Sequence, residues 1–335
     1  MRIAVDVMGG DFAPAHPVDG AVAASRTYGI GVDLIGREAA IRAELARHPD
    51  IDGLDVRIID APDVIEMSES PALALRRKPR ASIRVAAEHV AAGRAVALFS
   101  AGHTGANVVA AHAVFGMLPG VDRPALAPTV PTVRGSAVLV DAGATVECKP
   151  PYLLQFAHMG ALYARIGLGV DHPRVGLLSI GEEETKGNDL TREAHQLLKG
   201  STLSFVGNVE AQSLFSGMAD VVVCDGFTGN VALKLSEGLV EMVETLLGEE
   251  LQSTFSSQMG YLLSQRAFRR FRKRVDYSEF GGAPLLGVAG LCIVGHGRSS
   301  PKAVRNAVVM ASRMAGNRMM ERLTQEMASV AVKAS

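Results

Sequence analysis

The chain has 335 residues, of which 48% are hydrophobic and 21% are charged, as in an ordinary globular protein with a large core. Its 34 Lys and Arg residues against 35 Asp and Glu residues give a net charge of −1, so overall charge gives no reason to expect a nucleic-acid partner. The three cysteines show no paired spacing, and no apolar run is long enough to span a membrane. These features argue against disulfides, a zinc site and a transmembrane helix.

Apolar strand patterns alternate with helical patterns from the first residues onward. Residues 2–7 form a predicted strand where a signal peptide would stand, so we expect a cytoplasmic protein. An alanine-rich helix is predicted at 18–25, a strand at 32–36, a helix at 38–47 and a strand at 56–60. This order predicts an α/β fold with a parallel sheet covered by helices on both faces.

The same alternation continues through the rest of the chain, with one exception. Residues 69–81 are predicted to be a polar connection, in which four cations fall in five positions. The other predicted elements are strands at 95–100, 136–140, 174–180, 203–207, 221–223 and up to 294, and helices at 83–92, from 107, at 152–165, at 190–199, from 231 and at 301–327. No linker or internal repeat interrupts this series, so 1–335 is predicted to be a single domain.

At least six predicted strands end in loops that combine glycine with polar side chains. These strands end near Val7, Ser100, Val140, Ile180, Val223 and Val294. In a parallel sheet such loops lie at one edge and can converge on one cleft. The loops carry no dinucleotide-binding or P-loop motif in its proper context, no serine-hydrolase elbow and no metal-binding His pair. They therefore predict a site for a small oxyanion that uses neither a metal nor another cofactor.

The loop from Asp225 to Asn230 is the strongest candidate for this site. It follows an apolar β-branched run and precedes a helical pattern, so that backbone N–H groups and the positive end of the helix dipole face the loop. Alternatively, Thr228 or Asn230 only caps the helix. The predicted substrate-binding residues of all the loops are Asp6, Gly9, Gly10, Asp11, Gly102, His103, Thr104, Asp189, Asp225, Gly226, Thr228 and Gly229.

Residues 240–276 are predicted to be an amphipathic, basic helical insertion. No acidic residue lies between Glu250 and Asp276, and an apolar residue recurs every four positions from Phe255 to Phe271. Such a helix binds an anionic membrane or an acidic partner, or alternatively packs on a dimer mate. The predicted contact residues are Met259, Leu263, Arg266, Arg269, Arg270, Phe271 and Lys273.

Several of these motifs together resemble one family. They are Val5-Asp6-Val7-Met8-Gly9-Gly10-Asp11, Ser100-Ala101-Gly102, Arg123-Pro124-Ala125, Ile180-Gly181-Glu182-Glu183-Glu184, Lys186-Gly187-Asn188, Gly207-Asn208-Val209-Glu210, Asp225-Gly226-Phe227-Thr228-Gly229-Asn230 and Gly281-Gly282-Ala283-Pro284-Leu285-Leu286-Gly287. In this order they resemble the bacterial acyl-ACP:phosphate acyltransferases over nearly the whole chain. The chain departs from the family pattern at His103, where that loop usually has Asn.

The resemblance implies a three-layer αβα fold with a mostly parallel sheet, similar to isocitrate and isopropylmalate dehydrogenases and to phosphotransacetylases. It also implies a cytosolic homodimer that docks on the membrane. Its reaction would move a fatty acyl group from acyl carrier protein to inorganic phosphate for phospholipid synthesis. The alternatives are a phosphotransacetylase-like acyltransferase, a dehydrogenase on the same fold, or a non-catalytic membrane scaffold of lipid synthesis.

For this reaction, phosphate needs positioning more than deprotonation, because it is already an anionic nucleophile. We expect Lys186, Asn230 and backbone N–H groups to stabilise the tetrahedral oxyanion. His296 would protonate the leaving thiolate, or alternatively serve only as a structural histidine in a glycine turn. Asp225 would orient donors and not touch the phosphate.

Overall fold

Twelve strands and eleven α-helices build the fold in this computed structural model, which describes residues 1–334 and leaves out the side chains of residue 277 and of 331–334. The strands are β1 (Arg2–Asp6), β2 (Gly31–Gly36), β3 (Val56–Asp60), β4 (Ala97–Ser100), β5 (Ala125–Leu126), β6 (Thr129–Thr132), β7 (Gly135–Val140), β8 (Arg174–Ser179), β9 (Ser204–Glu210), β10 (Val221–Val223), β11 (Ala283–Leu286) and β12 (Cys292–Val294). The helices are α1 (Ala15–Tyr28), α2 (Glu38–Leu45), α3 (Pro71–Arg77), α4 (Ser82–Ala91), α5 (Thr104–Phe115), α6 (Pro150–Gly167), α7 (Asp189–Lys199), α8 (Gly226–Ser253), α9 (Phe255–Val275), α10 (Pro301–Gly316) and α11 (Met319–Ala334).

The strands form two mostly parallel sheets. The first has the order β3-β2-β1-β4-β12-β11-β5, and the second has the order β6-β7-β10-β8-β9. In the first sheet only β11 runs against its neighbours, and in the second only β6 does. The sheets meet at 125–132, where Ala127 N–H donates to Pro284 of the first sheet and Leu139 N–H donates to Pro128 from the second.

The apolar core is continuous on one face of the sheets and divided on the other. On the continuous face, α1, α6, α7, α10 and α11 pack on strands of both sheets in one cluster. On the opposite face, α3, α4 and α5 cover the first sheet, while a separate cluster covers the second. The α/β fold and its layers are therefore as predicted, and the divided face leaves room for a cleft.

Three predicted elements need correction. The supposed polar connection at 69–81 contains α3, which begins at Pro71, a residue that suits a first helical turn. The predicted closing helix is two helices, because Arg318 adopts a left-handed backbone with φ of 54° between α10 and α11. Helix α8 begins at Gly226 and not at Val231, since the side chain of Asp225 caps it.

Helices α8 and α9 form a hairpin joined at Thr254, whose hydroxyl caps α9 by accepting the Ser257 N–H at 3.1 Å. Side-chain contacts of Arg272 and Arg274 tie the C-terminal end of α9 back to the rest of the chain. Arg272 Nε lies 3.9 Å from Glu244 Oε1 of α8, and Arg274 donates to the Val133 carbonyl. Within residues 1–334, no helix combines the length and apolar character needed to cross a membrane.

Candidate active site

A cleft of about 460 Å³ lies where the two sheets meet, on the face where the core is divided. Loops after β1, β4, β7, β10 and β12 supply its walls, together with residues 280–283 before β11. The predicted convergence of strand-end loops is thus confirmed for five of the six loops, because parallel strands deliver their carboxyl ends to one edge. The sixth loop, after β8, stands outside the lining of this cleft.

Asp6 orders two glycine loops on the first-sheet side. Its carboxylate accepts the Met8 N–H at 3.1 Å and the Ser100 hydroxyl at 2.8 Å, and Ser100 Oγ accepts the Gly102 N–H at 3.1 Å. A Cβ on Gly9 would stand 2.6 Å from Gly102 N, so only glycine permits this approach of the two loops. Burial raises the pKa of Asp6, against the effect of its hydrogen bonds. Buried Asp6 therefore holds in place the loops after β1 and β4, which form this wall of the cleft.

Asp141 plays the equivalent part on the second-sheet side. Its Oδ1 accepts the N–H groups of Leu126 at 2.7 Å, Gly143 at 3.1 Å and Ala144 at 3.0 Å, and its Oδ2 accepts that of Thr145 at 2.6 Å. Burial raises the pKa of Asp141 to about 6, although these four hydrogen bonds act to lower it. One buried carboxylate thus fixes both the loop after β7 and the crossing segment between the sheets.

Asp225 caps helix α8 and in doing so uses the nearest backbone donors. Its Oδ1 accepts the Thr228 N–H at 2.9 Å, and its Oδ2 accepts the Thr228 hydroxyl at 2.7 Å. The Gly226 N–H donates to Thr145 O at 2.9 Å. Asp225 thus orients Thr228, and the N–H groups of Gly226 and Thr228 are directed to partners within the chain.

The first turn of α8 packs directly on the loop after β7. A Cβ on Gly229 would stand 1.9 Å from Asp141 O and 2.8 Å from Cys224 Sγ, so any larger residue would push the helix away. This close approach brings Asn230 next to Gly143, at a distance of 3.6 Å from the ideal Cβ position of that glycine. Asn230 and Gly143 therefore share one wall of the cleft.

Three ionisable side chains meet at the mouth of the cleft. Lys234 Nζ lies 2.8 Å from Glu237 Oε2 and 2.8 Å from His296 Nε2. Glu237 Oε2 and His296 Nε2 are 3.4 Å apart, which is within ion-pair range. Burial acts to raise the pKa of Glu237, but hydrogen bonds from His296 and Lys234 outweigh it and lower that pKa. The cluster places an ammonium group and an imidazole beside Asn230, which lies one helical turn before Lys234.

The predicted site residues divide into three groups. Asp11, Gly102, Thr104, Asn230 and His296 line the cleft.

A second group shapes the walls. It includes Gly9, Gly10 with a positive φ of 105°, and His103, whose Nδ1 caps α5 by accepting the Gly105 N–H at 3.0 Å. The third group, Lys186 and Asp189, lies on the exposed loop after β8 and at the start of α7.

Sequence reasoning missed Lys234 and Glu237. Asn230, Lys234 and Glu237 have the spacing i, i+4 and i+7, which places them on one face of α8. That spacing was a usable signal, whereas the approach of His296 from a loop 62 positions later was not.

The exposed surface of the α8–α9 hairpin carries the predicted contact residues. The side chain of Leu263 is 84% exposed, and Met259 and Phe271 are each 43% exposed. The predicted cations Arg266, Arg269, Arg270 and Lys273 are exposed as well. The hairpin thus presents apolar and basic groups together at its surface.

Solved structures of similar fold include two phosphotransacetylases. One, from Streptococcus pyogenes, has a TM-score of 0.64 and 17% identity, covering 95% of this chain and 94% of that chain. The EutD phosphotransacetylase from Staphylococcus aureus has a TM-score of 0.59 and 15% identity, covering 94% of each chain. A 4-hydroxythreonine-4-phosphate dehydrogenase from Klebsiella pneumoniae has a TM-score of 0.54 and 14% identity, covering 94% of this chain and 99% of that chain. These likenesses define the chain as an α/β protein with the fold of phosphotransacetylases.

Sequence comparison gives the family. The family described as fatty acid synthesis protein matches residues 1–322. The phosphate acyltransferase of Geobacter sp. (strain M21) is 52% identical over 329 residues, covering 97% of this chain and 93% of the relative. The phosphate acyltransferase of Pelotomaculum thermopropionicum is 48% identical over 333 residues, covering 99% of this chain and 97% of the relative. The chain belongs to this phosphate acyltransferase family.

Proposed function

We propose that this protein transfers a fatty acyl group from acyl carrier protein to inorganic phosphate, giving acyl phosphate for membrane phospholipid synthesis. The observation that carries the proposal is the cluster of Lys234, Glu237 and His296 beside Asn230, at a cleft built from glycine loops. The ammonium group of Lys234 attracts phosphate, and the side-chain amide of Asn230 suits an oxyanion. Family membership supplies the reaction class to which this chemistry corresponds.

The reaction requires one bond exchange at the acyl carbon. An oxygen of hydrogen phosphate attacks the thioester carbonyl carbon, a C–O bond forms, and the C–S bond breaks. Asn230 and Lys234 stabilise the negative charge on the carbonyl oxygen of the tetrahedral intermediate. The pair of Lys234 and His296 gives a proton to the leaving thiolate and regains one from the attacking phosphate, so that protons balance.

Lys186 acts at an earlier stage in this proposal. It is exposed on the loop after β8, at the same sheet edge as Asp225, because β8 and β10 are parallel neighbours. An exposed cation near the mouth of a cleft raises the local concentration of an anion. We therefore assign Lys186 and the neighbouring loop to phosphate capture, and Gly226, Thr228 and Asp189 to shaping the entrance.

The direct test measures phosphate-dependent acyl transfer. Purified protein is mixed with palmitoyl-acyl carrier protein and phosphate, and carrier thiol release and acyl phosphate are followed together. We expect one acyl phosphate per thiol released, and no release when phosphate is omitted. Equal thiol release with and without phosphate would show a thioesterase and overturn the proposal. A rate seen only with acetyl-CoA would favour the phosphotransacetylase alternative.

We further propose that the protein is a homodimer formed through α8. Five apolar residues form a stripe on this helix, each more than half exposed: Val231, Leu235, Leu239, Met242 and Leu246. Their spacing places them on one side of the helix, opposite the side that carries Lys234 and Glu237. An exposed apolar stripe of this length is typical of an interface. Sedimentation should show a dimer that Leu235→Lys with Leu239→Lys converts to a monomer, and a wild-type monomer would contradict the proposal.

The basic surface of α9 is proposed to bring the enzyme to its partners. Acyl carrier protein and anionic membrane lipids are both negatively charged, and each Lys or Arg near such a membrane contributes about 1 kcal/mol. With Arg266, Arg269, Arg270 and Lys273 exposed on the same helix as Leu263, the basic insertion at 240–276 can bind such a membrane peripherally and reversibly.

A further inference from the structure

A second cavity of about 900 Å³ continues from the reaction cleft along α8. Six residues line both cavities: Thr129, Leu233, Lys234, Glu237, His296 and Arg298. The ionisable cluster therefore stands at their junction. The second cavity follows α8 from Leu233 to Glu244. At 1.5 Å per residue this distance is roughly 16 Å. We call this second cavity the α8 groove.

The α8 groove has an apolar floor and a charged rim. Its floor is formed by Val130, Pro131, Phe215, Val240 and Val275, which come from β6, the second-sheet core and both helices of the hairpin. The charges at the rim face one another: Arg298 Nη1 stands 3.9 Å from Glu241 Oε1, and Arg272 Nε stands 3.9 Å from Glu244 Oε1. Because these charges are neutralised in pairs, what the groove offers a ligand is chiefly apolar surface.

We propose that the α8 groove binds the alkyl chain of the acyl group and sets the chain-length preference of the enzyme. The inference rests on the proposed acyl transfer, since it places the carbonyl carbon at the Lys234–His296 junction and the chain in the groove. With C–C bonds of about 1.5 Å, an extended chain of roughly a dozen carbons spans the groove. A volume of 900 Å³ also lies in the range of cavities that enclose small-molecule ligands.

The carrier arm is the other candidate occupant, and the apolar floor argues against it. A pantetheine arm carries two amides, which lose hydrogen bonds to water unless a site provides donors and acceptors. An alkyl chain needs only apolar surface. Each buried methylene strengthens binding about fourfold, so the groove can discriminate between chain lengths.

Two glycines in α8 provide a matched pair of variants. Gly238 lines the α8 groove and Gly248 does not, and an added Cβ at either position meets no atom within 4 Å. Gly238→Leu narrows the groove, whereas Gly248→Leu makes the same change in the same helix elsewhere. Val240→Phe is a second variant that fills the groove from its floor.

The experiment measures kcat/KM with butyryl-, octanoyl- and palmitoyl-carrier protein. Displacement of two or three methylenes should lower the ratio of palmitoyl to butyryl kcat/KM by about 15- to 60-fold in Gly238→Leu and Val240→Phe. Gly248→Leu should keep the wild-type ratio. An unchanged ratio in both groove variants would overturn the proposal. If kcat/KM fell by the same factor for all three chain lengths, the ratio would also be unchanged, and the groove would be assigned to the carrier arm instead.

A binding measurement separates this inference from the proposed reaction. Calorimetric titration of the wild type and of Val240→Phe with decanoate requires no turnover. Weaker decanoate binding by Val240→Phe would support the groove even if the wild type formed no acyl phosphate. Equal binding by the two proteins would reject the groove even if the transfer reaction were demonstrated.

Discussion

Replacing Lys234 by Met tests the central cluster of the cleft. Met keeps most of the apolar stem and removes only the charged head, so packing along α8 is preserved. The ammonium group lies 2.8 Å from both Glu237 Oε2 and His296 Nε2, and its loss leaves the latter two at 3.4 Å with an uncompensated carboxylate. In the proposed mechanism the variant therefore loses both the cation that faces the oxyanion and one member of the pair that protonates the leaving thiolate.

The expected loss follows from what one such donor contributes. Removal of a single oxyanion-stabilising donor lowers kcat by about 10²- to 10³-fold, or roughly 3–4 kcal/mol. We expect Lys234→Met to lose at least 100-fold in kcat for acyl phosphate formation. Its free energy of unfolding should change little, because the Lys234 side chain is half exposed.

Lys199→Met is the matched control. Lys199 also pairs with a glutamate, at 2.6 Å from Glu184 Oε1, and its side chain is 56% exposed against 50% for Lys234. It lies at the end of α7, outside the lining of the cleft. Lys199→Met should retain the wild-type kcat. A folded Lys234→Met protein within threefold of the wild-type kcat would refute the catalytic assignment of the cluster.

Three further predictions concern the cleft entrance, the wall and the hairpin. Lys186→Ala should raise the KM for phosphate several-fold with kcat nearly unchanged, and a kcat loss at unchanged KM would instead place Lys186 in the chemical step. Gly229→Ala should cost about 3 kcal/mol or more in urea unfolding, because its Cβ would stand 1.9 Å from Asp141 O, while Gly248→Ala should add about 0.5–1 kcal/mol. Equal stability of those two variants would contradict the packing described for α8. Charge reversal at Arg266, Arg269 and Arg270 should abolish co-sedimentation with anionic vesicles but leave transfer from a soluble short-chain thioester intact, and vesicle binding that persists would exclude α9 as the membrane contact.

The sequence carried enough information for the alternation of elements, because buried strands and amphipathic helices have distinct periods. It also located most of the cleft, since glycine and polar residues follow strands whose ends must share one edge. Asn230 and His296 were found in this way, and both line the cleft.

What could not be predicted depends on short or distant pairings. Strands β5 and β6 have two and four residues, too few for a periodic signal, and they are the strands at which the two sheets meet. The partnership of Lys234 with His296 requires β12 to pair with β4 and α8 to pack on the loop after β7. No local pattern encodes that combination of long-range contacts.

The divided core explains why the cleft forms at this place. On the undivided face, helices bind both sheets into one layer, so the two sheets cannot move apart without exposing that apolar surface. On the divided face, glycines replace side chains where loops from the two sheets approach, as Gly9 does near Gly102 and Gly229 near Asp141. Buried carboxylates then fix those loops from beneath.

This arrangement also determines the geometry of the proposed reaction. The ionisable cluster stands between a cleft lined by glycine loops and a groove with an apolar floor. A phosphate in the first and an alkyl chain in the second can meet only at their junction, beside Lys234 and His296. In the proposed reaction, surfaces of opposite polarity bring the attacking oxygen and the acyl carbon together, and the gain from such positioning does not require a covalent enzyme intermediate.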